Sequence, residues 1–291
     1  MFYRLFPNLQ IYSKKLEIRN RLSFCFYRIL HKFVIAMDFM EEFSRFMAEN
    51  SLEGRLEAVP VPVTSRTPEA AEVQAEAMAP LAGRATFVAE DRWRADGDAL
   101  RARLLAHAGH FRQVYARNCT VRRIERAAAA RFLSETHSYG DALSRFRYGL
   151  FVERVTGEKG PDAPAPGTLV AVATFSKARA RVIAGRRVRS HEWVRYASLP
   201  GIRVEGGMGK LLDAFVAEVR PEDVMTYADL EWSDGRAYRE LGFALDSVRE
   251  PVMFAVDPVT WERNALKYVS DMSGMLFFRN FGSLKFRKSY I

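Results

Sequence analysis

Apolar positions along the chain follow two different periods, and the change between them falls near Cys119. Before it the spacing is helical. Phe39, Phe43, Phe46 and Met47 recur at the interval that lines one helix face, and Asp38 stands where such a helix would be capped. Residues 59–68 (VPVPVTSRTP) are Pro-rich, which predicts extended backbone. Thr67-Pro68-Glu69 reads as a helix start with Pro in the first turn, leading into the Ala/Glu-rich run 70–79. Residues 98–107 form a third helical run. Trp93 and the arginines around it read as a solvated helix face rather than a nucleic-acid contact.

After Cys119 strand patterns alternate with helical ones. Strands are expected over 121–124, 147–155, 168–176, 191–199 and 224–229, with a last one over 252–256 that closes the sheet. Helices are expected over 127–136 and 210–219, the second with Leu211, Leu212, Phe215, Val216 and Val219 on one face. A third is capped by Ser233 or Asp234 and ends at Leu241-Gly242. Residues 158–166 read as a Gly/Pro loop and 179–187 as a basic loop. The order predicts an α/β fold, a mixed sheet flanked by helices with a helical N-terminal extension. The chain of 291 residues divides into a basic apolar segment (1–36), the helical extension (37–118), the α/β domain (119–258) and a basic aromatic tail (259–291). That tail either packs back on the domain or is a loosely folded end.

Charge sharpens these boundaries. The net charge is +9, but residues 1–36 hold seven Lys or Arg against one Glu, so the rest of the chain is close to neutral. Total charge therefore does not point to nucleic acid. Residues 22–36 are apolar but interrupted by Arg28, His31 and Lys32. They are too short and too charged for a membrane span of roughly 20 apolar residues, and no small-residue cleavage site follows. Two readings are open: a basic amphipathic arm that touches a membrane surface or partner, or a start at Met37. The charge break favours the second. Cys25 and Cys119 are too few for a metal or disulfide framework, so a reduced, cytoplasmic setting is expected, with Cys119 a buried structural thiol.

The chemistry concentrates in HEWVRYASLPGIRVEGGMGKLL, residues 191–212. A strand runs into a Gly-rich turn and then a helix. The free N–H groups and partial positive charge of a helix N-terminus hold anions, and glycines let a diphosphate approach. Gly206, Gly207 and Gly209 are thus a candidate pyrophosphate cradle, with Arg203 or Lys210 adding charge. A dinucleotide fingerprint is excluded because the third Gly is absent, and a P-loop because Leu211 follows Gly209-Lys210. Further on lies YRELGF, residues 238–243.

Together LPGIRVEGGMGKLL and YRELGF resemble, in order and separation, two signature elements of the GNAT acetyltransferase superfamily, over residues 119–258. The chain is most similar to uncharacterised phage-borne and Bacteroidetes GNAT-like proteins, in which YADLEWS-type and RYGLF-type segments recur. Two registers of the cradle are open, one using Arg203 and Gly206, the other Gly207 and Gly209. The resemblance implies direct acyl transfer from acetyl-CoA to an amine, with Tyr238 as general acid to the leaving thiolate and Glu192 as general base. It also places His137 and Tyr139 on a loop beside the acceptor groove. Asp229, Glu231 and Trp232 lie just past a strand end, where an acidic-aromatic cluster suits a cationic acceptor. Arg147, Arg179, Arg181, Arg186, Arg187 and Arg189 form a basic group that could grip nucleic acid. Three functions compete: an N-acyltransferase, a nucleic-acid-directed module on this scaffold, and an inactive partner-binding domain.

Overall fold

The structure is a computed structural model, and its described residues are 38–154, 163–183 and 185–291. The expectations for residues 1–36, and for most of the 158–166 loop, lie outside them. Helix α1 spans 38–49 and buries Phe39, Phe43 and Met47. Then come β1 (Ala58–Val61), α2 (Pro68–Met78), β2 (Thr86–Ala89), α3 (Glu90–Ala95), α4 (Gly97–His107) and β3 (Arg112–Tyr115). Thr67 caps α2, its Oγ1 accepting the Ala70 N–H at 3.2 Å, and Pro68 fills the first turn, where its missing N–H costs nothing. β1 and β2 pair in parallel, so the extension expected to be helical also carries strands. Trp93 is buried in its core, edge-on to Phe39, Phe43 and Phe46. Its Nε1 donates to Glu42 at 3.0 Å, and Arg94 donates to Glu42 and Asp38.

The second part runs β4 (Cys119–Arg123), α5 (Arg126–Thr136), β5 (Phe146–Val152), β6 (Leu169–Phe175), β7 (Arg179–Ile183), β8 (Arg186–Ser198), β9 (Ile202–Glu205) and α6 (Gly207–Val219). It continues with β10 (Asp223–Asp229), α7 (Arg236–Glu240), β11 (Ala244–Arg249), β12 (Met253–Val256), β13 (Arg263–Ala265), β14 (Leu276–Arg279) and β15 (Ser283–Ser289). The main sheet has the order β11-β15-β10-β8-β6-β5-β4, with β7 paired to β8. All its pairings are antiparallel except β8 with β10. It is a mixed sheet flanked by helices. α6 covers one face through Leu211, Leu212 and Phe215, the last stacked on Phe175 at 4.0 Å. α5 covers the other face, where Ala129, Phe132 and Leu133 meet Val172 and Ala197.

Besides the strands of the N-terminal extension and the buried Trp93, three sequence expectations change. Residues 179–187, read as a loop, form a β-hairpin with β8. Residues 252–256, read as the closing strand, instead pair with β13 and β14 in a separate sheet. The closing role falls to β15, from the segment read as a tail, which lies between β10 and β11. Its basic side chains are matched inside the fold. Lys285 reaches Asp246 at 2.6 Å, and Arg287 reaches both Asp223 and Asp246. Phe286, between them, points into the core and is fully buried.

Candidate active site

β8 and β10 run side by side for only three residues, Ser190–Glu192 against Asp223–Met225. Beyond that point β8 stays with β6 and β10 stays with β15. The last link between them is Thr226 Oγ1, which donates to the Trp193 carbonyl at 3.2 Å. A cavity of about 680 Å³ opens in the fork, a size typical of small-molecule sites. Its walls come from β8, β10, α4, α7, the loop after α5, and the turn from β8 to α6.

The fork is shaped by a bulge. Thr174 lies opposite Arg195 but Phe175 opposite Trp193, so the ladder slips by one residue at Val194. Strand side chains normally alternate between faces. The slip lets Trp193 and Tyr196, three residues apart, both pack with the α6 cluster, their rings edge-on at 6.2 Å. Tyr196 thereby lines the cavity.

The cavity reaches the Gly-rich turn through Gly201, Ile202 and Met208, while Arg203, Gly206, Gly207, Gly209 and Lys210 are not on its wall. Gly206, at φ 73°, is the N-cap of α6, and no side chain caps the helix; a left-handed φ there suits glycine. The first N–H groups of α6 therefore have no intrahelical partner. Gly207 is packed rather than open, because a Cβ there would sit 3.0 Å from Val204 and 3.2 Å from the Tyr196 hydroxyl. Gly209 faces Leu241 instead, at 3.4 Å for an added Cβ. Lys210 is directed elsewhere, since its Nζ donates to the Ala116 and Cys119 carbonyls at 2.9 and 2.5 Å and so ties α6 to the β3–β4 turn. Arg203 stays exposed on β9, over the Phe111 ring and 3.8 Å from Glu205.

Tyr238 lines the cavity and is half-buried. Its ring packs edge-on against Trp193 and Phe243, both at 5.9 Å. Burial raises its hydroxyl above the ordinary tyrosine range, against a hydrogen bond to Thr226 that works the other way. Glu192 is on the wall where the fork begins, half-buried, its N–H donated to Ser176 Oγ at 2.9 Å.

His107, His137, Tyr139, Asp229, Arg103 and Arg195 also line the cavity. Tyr139 donates its hydroxyl to Asp229 at 2.8 Å. Desolvation of the hydroxyl, with Asp229 and Glu231 next, raises it, although the residue as a whole is exposed. The second Asp229 oxygen accepts the Glu231 N–H at 3.0 Å. His137 Nδ1 accepts the Tyr139 N–H at 3.0 Å, and burial, then Arg195 and Arg103, hold the ring neutral with a pKa pushed down to about 3. Trp232 is not on the cavity wall. It is buried in the core of the N-terminal helices, under the Arg103 guanidinium at 4.1 Å.

Sequence reasoning missed Arg103, Arg195 and Tyr196. Alternation along β8 conceals Tyr196 because the bulge resets it, and Arg103 arrives on a helix outside the motif region. The structure brings Glu192, Tyr238, His137, Tyr139 and Asp229 to one cavity. Among the described residues no cluster suits a metal ion, and no helix is long and apolar enough to cross a membrane.

No family model matches the chain, and no curated protein matches it. Among solved structures it is similar to Eis1 from Mycobacterium abscessus, at 18% identity over 47% of this chain, with a TM-score of 0.34. The match spans only 33% of the Eis1 chain. It is similar to a spermidine N-acetyltransferase from Vibrio cholerae, at 12% identity over 60% of this chain and 94% of that one, TM-score 0.34. A GNAT-family acetyltransferase from Bacillus cereus gives 7% identity over 60% and 98%, TM-score 0.29.

Proposed function

We propose that the chain is an N-acyltransferase that passes the acyl group of acetyl-CoA to an amine. The observation that carries this reading is the fork, which the uncapped first turn of α6 reaches through Met208 and which is lined by a half-buried Tyr238 with a raised hydroxyl pKa. Parted strands expose backbone donors and acceptors that a long amide-bearing arm can pair with. The Gly206–Gly207 turn and the first N–H groups of α6 suit a diphosphate. The uncapped α6 N-terminus and the parted strands are the features that support a CoA site. Acetyl-CoA would supply an activated thioester, so that no covalent intermediate on the protein is needed.

The chain's own residues then divide the proton work. Tyr238 holds a proton for the departing sulfur, and its raised pKa keeps that proton in place at neutral and mildly alkaline pH. Glu192 is the candidate to take the proton from the attacking amine, directly or through water. Lys210 has no part, since two carbonyls hold its ammonium.

The test is a titration with acetyl-CoA followed by melting temperature. A ligand at one hundred times its Kd should stabilise the fold by about 2.7 kcal/mol. No shift at millimolar acetyl-CoA would sink the reading. Retention on nucleic acid at moderate salt without such a shift would favour the second reading, a nucleic-acid surface on the exposed arginines of the β7–β8 hairpin, Arg179, Arg181, Arg186 and Arg187.

A further inference from the structure

Two arginines line the cavity. Arg103 comes from α4 and Arg195 from β8. Neither has a carboxylate within ion-pair distance among the described residues, in contrast to Arg263, which is clasped by Asp91 through two bonds of 2.5 and 2.7 Å. Arg103 donates to Ser138 Oγ at 3.3 Å and stacks on Trp232 at 4.1 Å. Arg195 donates to the carbonyls of Gly140 and Val194 at 3.1 and 3.0 Å. A guanidinium has five donor hydrogens, so both keep donors in hand. Burial disfavours both charges, and a desolvated cation without a counter-charge is costly.

Asp229 and Glu231 act on Arg103, but neither is within ion-pair distance of it. Asp229 has one oxygen on Tyr139 and the other on the Glu231 N–H. Glu231 is itself on the ion-pair network of Arg263, 3.7 Å from it. Glu192 and Asp141 act on Arg195 only at longer range. The positive potential registers on both neighbouring histidines. After burial, Arg103 depresses His107 to about 4, and Arg195 and Arg103 depress His137 to about 3.

We propose that the amine acceptor carries an oxyanion, a carboxylate or a phosphate, and that Arg103 and Arg195 bind it. This deepens the acyltransferase reading and rests on it for the identity of the cavity. A planar guanidinium fork matches either oxyanion with paired hydrogen bonds.

The experiment compares amines that differ only in the anion: glycine with glycinamide, glutamate with its diamide, and phosphoethanolamine with ethanolamine. CoA thiol release is measured at saturating acetyl-CoA, and each amine is also titrated alone in a thermal shift. The expected result is that one anionic class is preferred about tenfold or more in kcat/KM, as a charged hydrogen bond is worth. That class also raises the melting temperature without acetyl-CoA. Glycine and glutamate against phosphoethanolamine distinguish carboxylate from phosphate. Arg103→Met and Arg195→Met should raise KM for the preferred anion about tenfold and abolish its thermal shift. Arg103→Lys, which keeps charge but loses the fork, should restore part of both. Equal use of the neutral partners, preference for spermidine, or an unaltered anion shift in folded variants would overturn the proposal. If the anions stabilise the protein through these arginines but acetyl-CoA does not bind, the acyltransferase reading falls and the anion site stands.

Discussion

Tyr238 combines packing and chemistry in one side chain. Its ring fills space between Trp193, Phe243 and Phe286, while its hydroxyl meets Thr226 in the fork. Tyr238→Phe keeps the ring and removes only the hydroxyl. Turnover should fall at least about tenfold, as for a lost general acid, with acetyl-CoA affinity and melting temperature retained. Loss of the fold instead would show that the hydroxyl serves packing. The raised pKa has a pH consequence. Because burial holds the hydroxyl above its usual value of about 10, the rate should not decline between pH 7 and 10 through loss of this proton. At this scale the sequence was partly legible. YRELGF located Tyr238, and Glu192 could be placed by its distance from the Gly-rich turn. Arg103 was illegible because it approaches from an element far along the chain. Lys210 was misleading, since adjacency to a glycine turn says nothing about which carbonyls an ammonium finds.

Among the elements, β15 does most to build the site, because β10 can leave β8 only if another strand takes its other edge. β15 pairs with all seven residues of β10. Phe286, at its centre, is fully buried against the α7 side of the sheet. Phe286→Ala should cost about 3–5 kcal/mol, the usual range for truncating a buried Phe, read as a lower denaturant midpoint with acetyl-CoA affinity falling in parallel. An unchanged midpoint would mean that the strand is dispensable. The helices α2, α4, α5 and α6 and the strands β5, β6, β8 and β10 were legible from periodicity, which survives wherever one face is buried. β15 was not, because alternating Lys and Arg around a single Phe resembles a solvated tail. Those cations are placed by Asp223 and Asp246, acids 41–64 residues upstream of Arg287 in the chain.

Across the whole molecule, the N-terminal helices and the main sheet are joined rather than appended. Backbone bonds run from Gly83 to Leu230 and from Phe87 to Glu231. Arg263 on β13, with a side chain 1% exposed, holds Asp91 on α3 and lies 3.7 Å from Glu231 past the end of β10. Arg263→Met would leave Asp91 buried without a counter-charge, so stability should fall by about 3–5 kcal/mol, and the protein should still melt in a single transition. Two separated transitions would show that the parts fold independently. The position of β15 also sets a timetable for synthesis. β10 is complete at residue 229, but its second neighbour ends at residue 289. At about 5–20 residues per second, roughly 3–12 s pass with that strand edge unmatched on the ribosome. A bare edge of this kind is a template for pairing with other chains, so the nascent protein is most exposed to aggregation and to chaperone capture in that interval, just before the sheet can close.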